Sequence, residues 1–559
     1  MQAIILRQIN AEEMTMSRHL LSIEPFDMNG FRFPGYMVSS TAPINVEDKD
    51  ETTIDREPSE VLKEIADYLQ QHEDAEILIA IHGYNSSKSG ARWWYEEIRR
   101  YVNQNFANHV SPGLMVIGYR WSSENVFPNE SGQKSSSILK VLQGTIKAFK
   151  ALPKPLAIAG IFGVLLAVIG GIFNLVIALF NLVDSLTILI ASSLALTLSL
   201  SIVVVILTIF ILRISGYFRD TYRAANFGVS DLVEFIRQLD NQLVGQSTNR
   251  QKRVRLSFIG HSMGAFVVTN TVRILSDVFD RDSIGNLHIK NQKKLPSSDI
   301  GNAFRLSRLV LVAPDISAET IISGRGNPLK SSLRRFDEAY LFSNEGDMVL
   351  KIASTAANYF SFPTSTRDGG YRLGNVIVRS PGKFGLEKSG IVNLDNSGQL
   401  IPLCGIEFLE RLYLREGMPL SKRQEQIDLE SDRFIAELFT YFDCTNYQEN
   451  GRGIVSQALG KSFLNFKDYV ALILSGADGH GGFLFAKDAN FSRRLIYGLS
   501  SIGLEKLLMT IDANQGDRQV LLKLFSQQCG EKGIQVLLAN ERYDRLGLAS
   551  GKLSDRKAF

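Results

Sequence analysis

Five residues, Gly260-His261-Ser262-Met263-Gly264, have the types and spacing needed to hold a nucleophile on a turn. A serine hydroxyl is weak at neutral pH and attacks a carbonyl only when a base takes its proton and its backbone presents it at an edge. The flanks supply that setting. The apolar run Val254–Ile259 reads as a buried strand. After the motif, Ala265–Leu275 carries an apolar stripe and reads as a helix. Strand, Gly-x-Ser-x-Gly turn and helix together form the context of a nucleophile elbow. Gly260 and Gly264 leave room where a Cβ would strike the neighbouring strand or helix. The helix N-terminus also favours negative charge at the reacting centre. A Gly-rich turn with an N-capping serine has the same pattern; the flanks, and the absence of a second copy, favour the elbow.

Such a serine needs a histidine, and the histidine needs an orienting acid. After an elbow of this kind the chain order is acid, then histidine. Of seven histidines, two lie downstream of Ser262. His288 sits in the polar segment DSIGNLHIKNQKK and reads as a surface residue. His480 sits in SGADGHGGF, whose glycines let an imidazole reach the elbow, although a plain turn histidine would look similar. For the acid, Asp347 in LFSNEGDMVL is preferred, with Asp315 in LVAPDIS as the alternative and Glu345 third. Each aspartate follows a strand; either could also be a loop-capping residue. The oxyanion hole needs two backbone N–H groups. Met263 should give one. The loop His82-Gly83-Tyr84-Asn85 should give the other, with Gly83 allowing close approach and Tyr84 as donor.

The elements that must position these residues alternate. Glu76–His82, Leu114–Tyr119, Leu309–Val312 and Ala339–Phe342 read as buried strands. Helical patterns occupy Ser59–Gln71, Ala91–Asn105 and Ser230–Leu243. Continuous apolar strands alternating with helices predict an α/β fold, with a mostly parallel sheet covered on both faces. The expected organisation is a first part of this domain over 1–125, an insertion over 126–217 and a second part with the elbow over 218–382. An insertion or cap follows over 383–465, and then the histidine loop and C-terminal segment over 466–559. That last segment looks helical at Arg518–Cys529 and strand-like at Ile534–Asn540, with no chemistry assigned.

The first insertion is distinctive. Residues 155–183 and 185–212 carry no charge, with Asp184 alone between them. Each exceeds the roughly 20 apolar residues that cross a bilayer, so they predict a two-span hairpin. Lys140, Lys147, Lys150 and Lys154 precede it, and Arg213, Arg219 and Arg223 follow it. Positive charge on both flanks places the flanking domain in the cytoplasm. Few polar residues interrupt the spans, so an anchor is expected and a pore is not. The net charge of +3 suggests no nucleic-acid partner. The three cysteines, Cys404, Cys444 and Cys529, have no metal-like spacing, so neither a metal nor a cofactor is expected, and a reducing compartment fits.

These motifs resemble the α/β-hydrolase superfamily. More closely they are similar to a bacterial α/β-hydrolase family of unknown function, whose Ile-His-Gly-Tyr-Asn loop matches Ile81–Asn85. Tyr119-Arg120-Trp121-Ser122, Tyr217–Asp220 with Ala224-Ala225, Ala313–Ile316, Ser343–Asp347 and Gly370–Gly374 match in order. The resemblance covers roughly 75–125 and 217–380, with a weaker echo at 478–484. It implies a serine-hydrolase fold with Ser262, Asp347 and His480 as triad, and no particular substrate. The hairpin and the segment 383–465 depart from that pattern. The expected function is a membrane-anchored serine hydrolase of esterase or lipase type. Its partners are the lipid bilayer and an ester or thioester of a small molecule or lipid. The alternative is a catalytically inactive, membrane-tethered interaction module on the same scaffold.

Overall fold

The computed structural model describes residues 20–42, 56–123, 211, 214–246, 252–279, 298–321, 328–354, 371–379, 390–403, 405–415, 418–422, 435–455, 478–512 and 516–539. The chain forms two units. One comprises 1–123 with 221–559, and the other 124–220. Of the second unit, residues 211 and 214–220 are described, and they are helical. The two expected spans, 155–183 and 185–212, lie outside the described residues apart from Ile211. Among the described residues no helix is long and apolar enough to cross a membrane.

Among the described residues, the first unit is built on an eleven-stranded sheet. Its strands are β1 (Leu21–Pro25), β2 (Gly35–Ser40), β3 (Glu76–Ile81), β4 (Leu114–Arg120) and β5 (Val254–His261). They continue as β6 (Asp299–Ile300), β7 (Phe304–Val312), β8 (Glu338–Ser343), β9 (Gly390–Ile391), β10 (Thr440–Asp443) and β11 (Gln535–Leu537). The spatial order is β1-β2-β4-β3-β5-β7-β8-β10-β11-β9, with β6 beside β7. From β2 to β10 every neighbouring pair along this path is parallel. The ends are mixed: β1 runs antiparallel to β2, and β11 antiparallel to β10.

Residues 390–391 and 440–443 fall in the stretch expected to be an insertion or cap. They are strands of the main sheet instead. Thr440–Asp443 is only four residues long, too short for its apolar pattern to stand out from a turn-rich sequence.

Two helical layers cover the sheet. On one face lie α1 (Pro58–Gln70), α3 (Val229–Gln246), α4 (Met263–Phe279) and α5 (Pro328–Leu333), packed in that order. On the other lie α2 (Lys88–Asn105), α7 (Asn490–Ser501), α8 (Gly503–Met509) and α9 (Arg518–Glu531). The short α6 (Gly482–Phe485) precedes α7. Strand alternation divides the core between them. Ile259, Val310, Tyr340 and Phe342 join the cluster with Trp94, Tyr95, Leu495 and Phe525. Phe258, one residue from Ile259, packs edge-on against Phe336, with ring centroids 6.1 Å apart.

One contact ties the core to the edge where ligands bind in such sheets. Tyr95 of α2 lies against Gly118 of β4; a Cβ there would stand 2.0 Å from the ring. The Tyr95 hydroxyl donates to the Tyr119 carbonyl and accepts from the His82 N–H at 3.3 Å. Gly118→Ala is therefore expected to destabilise the fold by on the order of 1–3 kcal/mol, as for an overpacked core, and so to lower the unfolding midpoint. An unchanged midpoint in thermal unfolding would show that Tyr95 can swing aside without loss.

Candidate active site

Ser262 follows β5 at the C-terminal edge of the sheet. Its φ is +54°, in the left-handed region that a non-glycine residue rarely adopts. The strain is held by hydrogen bonds on both sides. Ser262 N–H donates to the Val312 carbonyl at 2.9 Å, and its own carbonyl accepts from Ala265 at 3.0 Å and Asp315 at 3.1 Å. The turn closes because its glycines lack side chains. A Cβ on Gly260 would meet the Ala265 Cα at 2.8 Å, and one on Gly264 the Ile81 carbonyl oxygen at 2.3 Å. Ser262 is 1% exposed, and its Oγ has no hydrogen-bond partner.

Asp347 and His480 are brought together although 133 positions separate them. His480 Nδ1 lies 2.7 Å from Asp347 Oδ2. A carboxylate can only accept, so Nδ1 carries the proton and Nε2 keeps its lone pair in the neutral ring. That Nε2 is buried and has no hydrogen-bond partner. Asp347 Oδ1 accepts from the Val349 and Leu350 N–H groups, at 3.0 and 3.1 Å. Both oxygens are thus bonded in a residue with no exposed surface.

Burial pushes the Asp347 carboxyl up, against the pull of His480 and the Leu350 N–H. Burial alone would depress the imidazole. The Asp347 charge and hydrogen bond, with help from Asp478 and Asp315, outweigh it and raise His480 above its ordinary value.

Asp315, the alternative acid, is paired elsewhere. Its Oδ1 lies 3.0 Å from Arg372 Nε, and both side chains are buried. Glu345 N–H donates to Thr445 Oγ1 at 3.0 Å, which places it in the turn that carries Asp347.

Asn344 clamps the acid and histidine loops together. Its Oδ1 accepts from the Gly346 N–H at 2.9 Å, and its Nδ2 donates to the Gly479 carbonyl at 2.8 Å. Asp478 Oδ1 then accepts from the His480 and Gly481 N–H groups. Sequence reasoning passed over Asn344, although it stands in the Ser-Asn-x-x-Asp run. It also passed over the aromatic surround. His261 donates Nε2–H to the His480 carbonyl at 3.3 Å, with ring centroids 5.0 Å apart. Burial pushes His261 down to about 3, so it stays neutral. Phe485 meets the His261 ring edge-on at 5.7 Å, and Trp93 lies 6.3 Å from Phe485.

The 82–85 loop rests directly on the elbow. A Cβ on Gly83 would stand 2.8 Å from the Ser262 Cβ. The loop is held from behind: Trp121 Nε1 donates to the His82 carbonyl at 3.1 Å, and Ser86 Oγ to the Gly83 carbonyl at 3.1 Å. Met263 is the first residue of α4, so its N–H has no acceptor within the helix. Among the described residues, no group of three or more His, Cys, Asp or Glu side chains could hold a metal ion.

Residues 187–395 match the family described as "Alpha/beta hydrolase of unknown function" (DUF900). The scaffold is α/β-hydrolase-like: a mostly parallel mixed sheet with helices. The matched stretch contains Ser262, Asp315 and Asp347 and ends before His480. No curated protein and no solved structure matches the chain.

Asp347→Asn removes the charge that raises His480, leaving burial to dominate. The imidazole is then expected to titrate at lower pH than in the wild type. Histidine-selective NMR titration measures this, and an unmoved or higher midpoint would break the assigned coupling.

Proposed function

We propose that the protein is a serine hydrolase that cleaves an ester or thioester through an acyl-enzyme. The observation that carries this reading is the 2.7 Å hydrogen bond from His480 Nδ1 to buried Asp347. It orients an imidazole whose Nε2 is free to take a proton, in the same edge of the sheet as the strained, unpartnered Ser262 hydroxyl. A catalytic hydrogen bond between nucleophile and base often forms only with substrate bound.

Ser262 Oγ attacks the carbonyl carbon while its proton passes to His480 Nε2. The developing imidazolium is stabilised by Asp347, which stays ionised. The Met263 N–H and the Gly83–Tyr84 backbone hold the oxyanion. The tetrahedral intermediate collapses, and the alcohol or thiol leaves with the proton from His480. Water, deprotonated by the same Nε2, then releases the acid. Exposed Trp93 and Phe485, at 51% and 39%, offer an apolar mouth suited to an acyl chain. The uncharged stretches 155–183 and 185–212 anchor this domain to a bilayer, on the cytoplasmic side by the flanking charges. Anchoring and the apolar mouth together favour a lipid-like acyl group.

A fluorophosphonate probe is expected to label the folded wild type. Labelling should vanish in Ser262→Ala and fall by roughly 10³-fold or more in His480→Ala, as for a removed triad base. Well-folded protein that resists the probe would leave the inactive interaction module as the better reading. The labelling rate should rise with pH through a midpoint above the ordinary histidine value, because only neutral His480 accepts the proton. Deleting 155–212 should release a soluble domain that still labels; a deletion variant that fails to fold would assign those stretches to the core.

A further inference from the structure

Three neighbouring strands carry, at their C-terminal ends, buried polar atoms that have no hydrogen-bond partner. These are Ser39 Oγ, Arg120 Nε and His82 Nε2. Register sets Ser39 beside Arg120. It also sets Ile81 beside Tyr119, so His82, the next residue, stands on the other side of Arg120. All three share one face. Gly118 faces Tyr95, and side chains two positions apart along a strand point the same way, which turns Arg120 toward α2. The His82 ring lies 6.5 Å from that of Tyr95.

Arg120 is the decisive member. It is 4% exposed, and its guanidinium makes no hydrogen bond or ion pair with any described residue. A nearly buried arginine whose Nε–H is left unpaired offers a donor that an anionic oxygen would satisfy. His82 narrows the choice. Its Nδ1 lies 2.7 Å from the Gly83 carbonyl, which only accepts, so Nδ1 holds the proton. Burial pushes the ring down to about 3 and keeps it neutral, which leaves Nε2 as an acceptor. The row therefore offers donors from Arg120, a hydroxyl from Ser39 and an acceptor from His82. A carboxylate satisfies the arginine but brings no proton for His82. A monoprotonated phosphoryl group brings both.

We propose that Ser39, Arg120 and His82 form a phosphoryl-binding subsite beside the oxyanion loop. Resting on the serine-hydrolase reading, this makes the substrate an ester or thioester that carries a phosphoryl group. Ser262 follows β5, and β3 alone lies between β5 and β4. Two strand spacings separate the serine from Arg120, roughly 10 Å. The phosphoryl group and the scissile carbonyl are thus several bonds apart in one molecule.

Calorimetry on the full chain with inorganic phosphate tests the subsite without requiring turnover. Phosphate is expected to bind and to raise the unfolding midpoint, and acetate at equal ionic strength to do neither. Arg120→Gln should weaken phosphate binding by about tenfold or more, equivalent to losing about 1.4 kcal/mol. Arg120→Lys, which keeps the charge without the planar fork, should fall between, and serves if the glutamine variant does not fold. Absent phosphate binding, or binding that Arg120→Gln leaves unchanged (an adventitious ion only), overturns the subsite. Equal binding of acetate overturns its phosphoryl character. Ser262→Ala should still bind phosphate. Failed probe labelling with phosphate binding intact therefore sinks the hydrolase reading alone, and intact labelling without phosphate binding sinks the subsite alone.

Discussion

A carboxylate with no exposed surface dictates much of the architecture around it. Asp347 cannot sit in the interior unless both oxygens are bonded. One oxygen takes the two N–H groups that follow it in the chain, and the other takes His480 from 133 positions away. The second bond explains why the His480 loop must return to the edge of β8. It also explains why Asn344 spends its amide bridging the two loops, since a loop carrying three glycines within four residues would otherwise hold no fixed place. The same bond fixes the imidazole tautomer and leaves its other nitrogen as the available base.

The serine side is governed by closeness. Backbone atoms of the elbow, the 82–85 loop and the start of α4 approach to distances that a Cβ at 83, 260 or 264 would not permit. Strain at Ser262 survives because the end of β7, Asp315 just after it and the start of α4 all bond the turn. Behind the loop, Trp121 and Tyr95 bond the His82 backbone, so the region is preorganised by aromatic side chains and not by chain stiffness. Charge is handled differently at the two ends of this edge. Asp347 is fully satisfied, whereas Arg120 is buried with no bonded acceptor among the described residues. That asymmetry sets the fully bonded Asp347, paired with His480, apart from an arginine whose Nε–H has no partner.

Local signals were readable where one short segment contains both the chemistry and its support. The elbow is such a case: strand, turn and helix are contiguous from Val254 to Phe279. So is Asp347, because its strand and its turn are adjacent. Asp315 looked almost as good, since it also follows a strand; only Arg372, 57 positions on, marks it as occupied. Residues 440–443 looked like part of an excursion because a four-residue strand carries too little periodicity. Its place beside β8 depends on pairing partners far away in the chain.

The amino-acid sequence by itself determined the strand-turn-helix around Ser262, the alternation of strand and helix, and the small set of acids and histidines downstream of that turn. Residue type, spacing and apolar period carry that information locally. Tertiary structure decided which acid faces His480, which atoms are left without partners, and which residues of three separate strands stand in one row. Those are outcomes of burial and cross-strand register. Both depend on parts of the chain that are distant in sequence and meet only when the sheet is assembled.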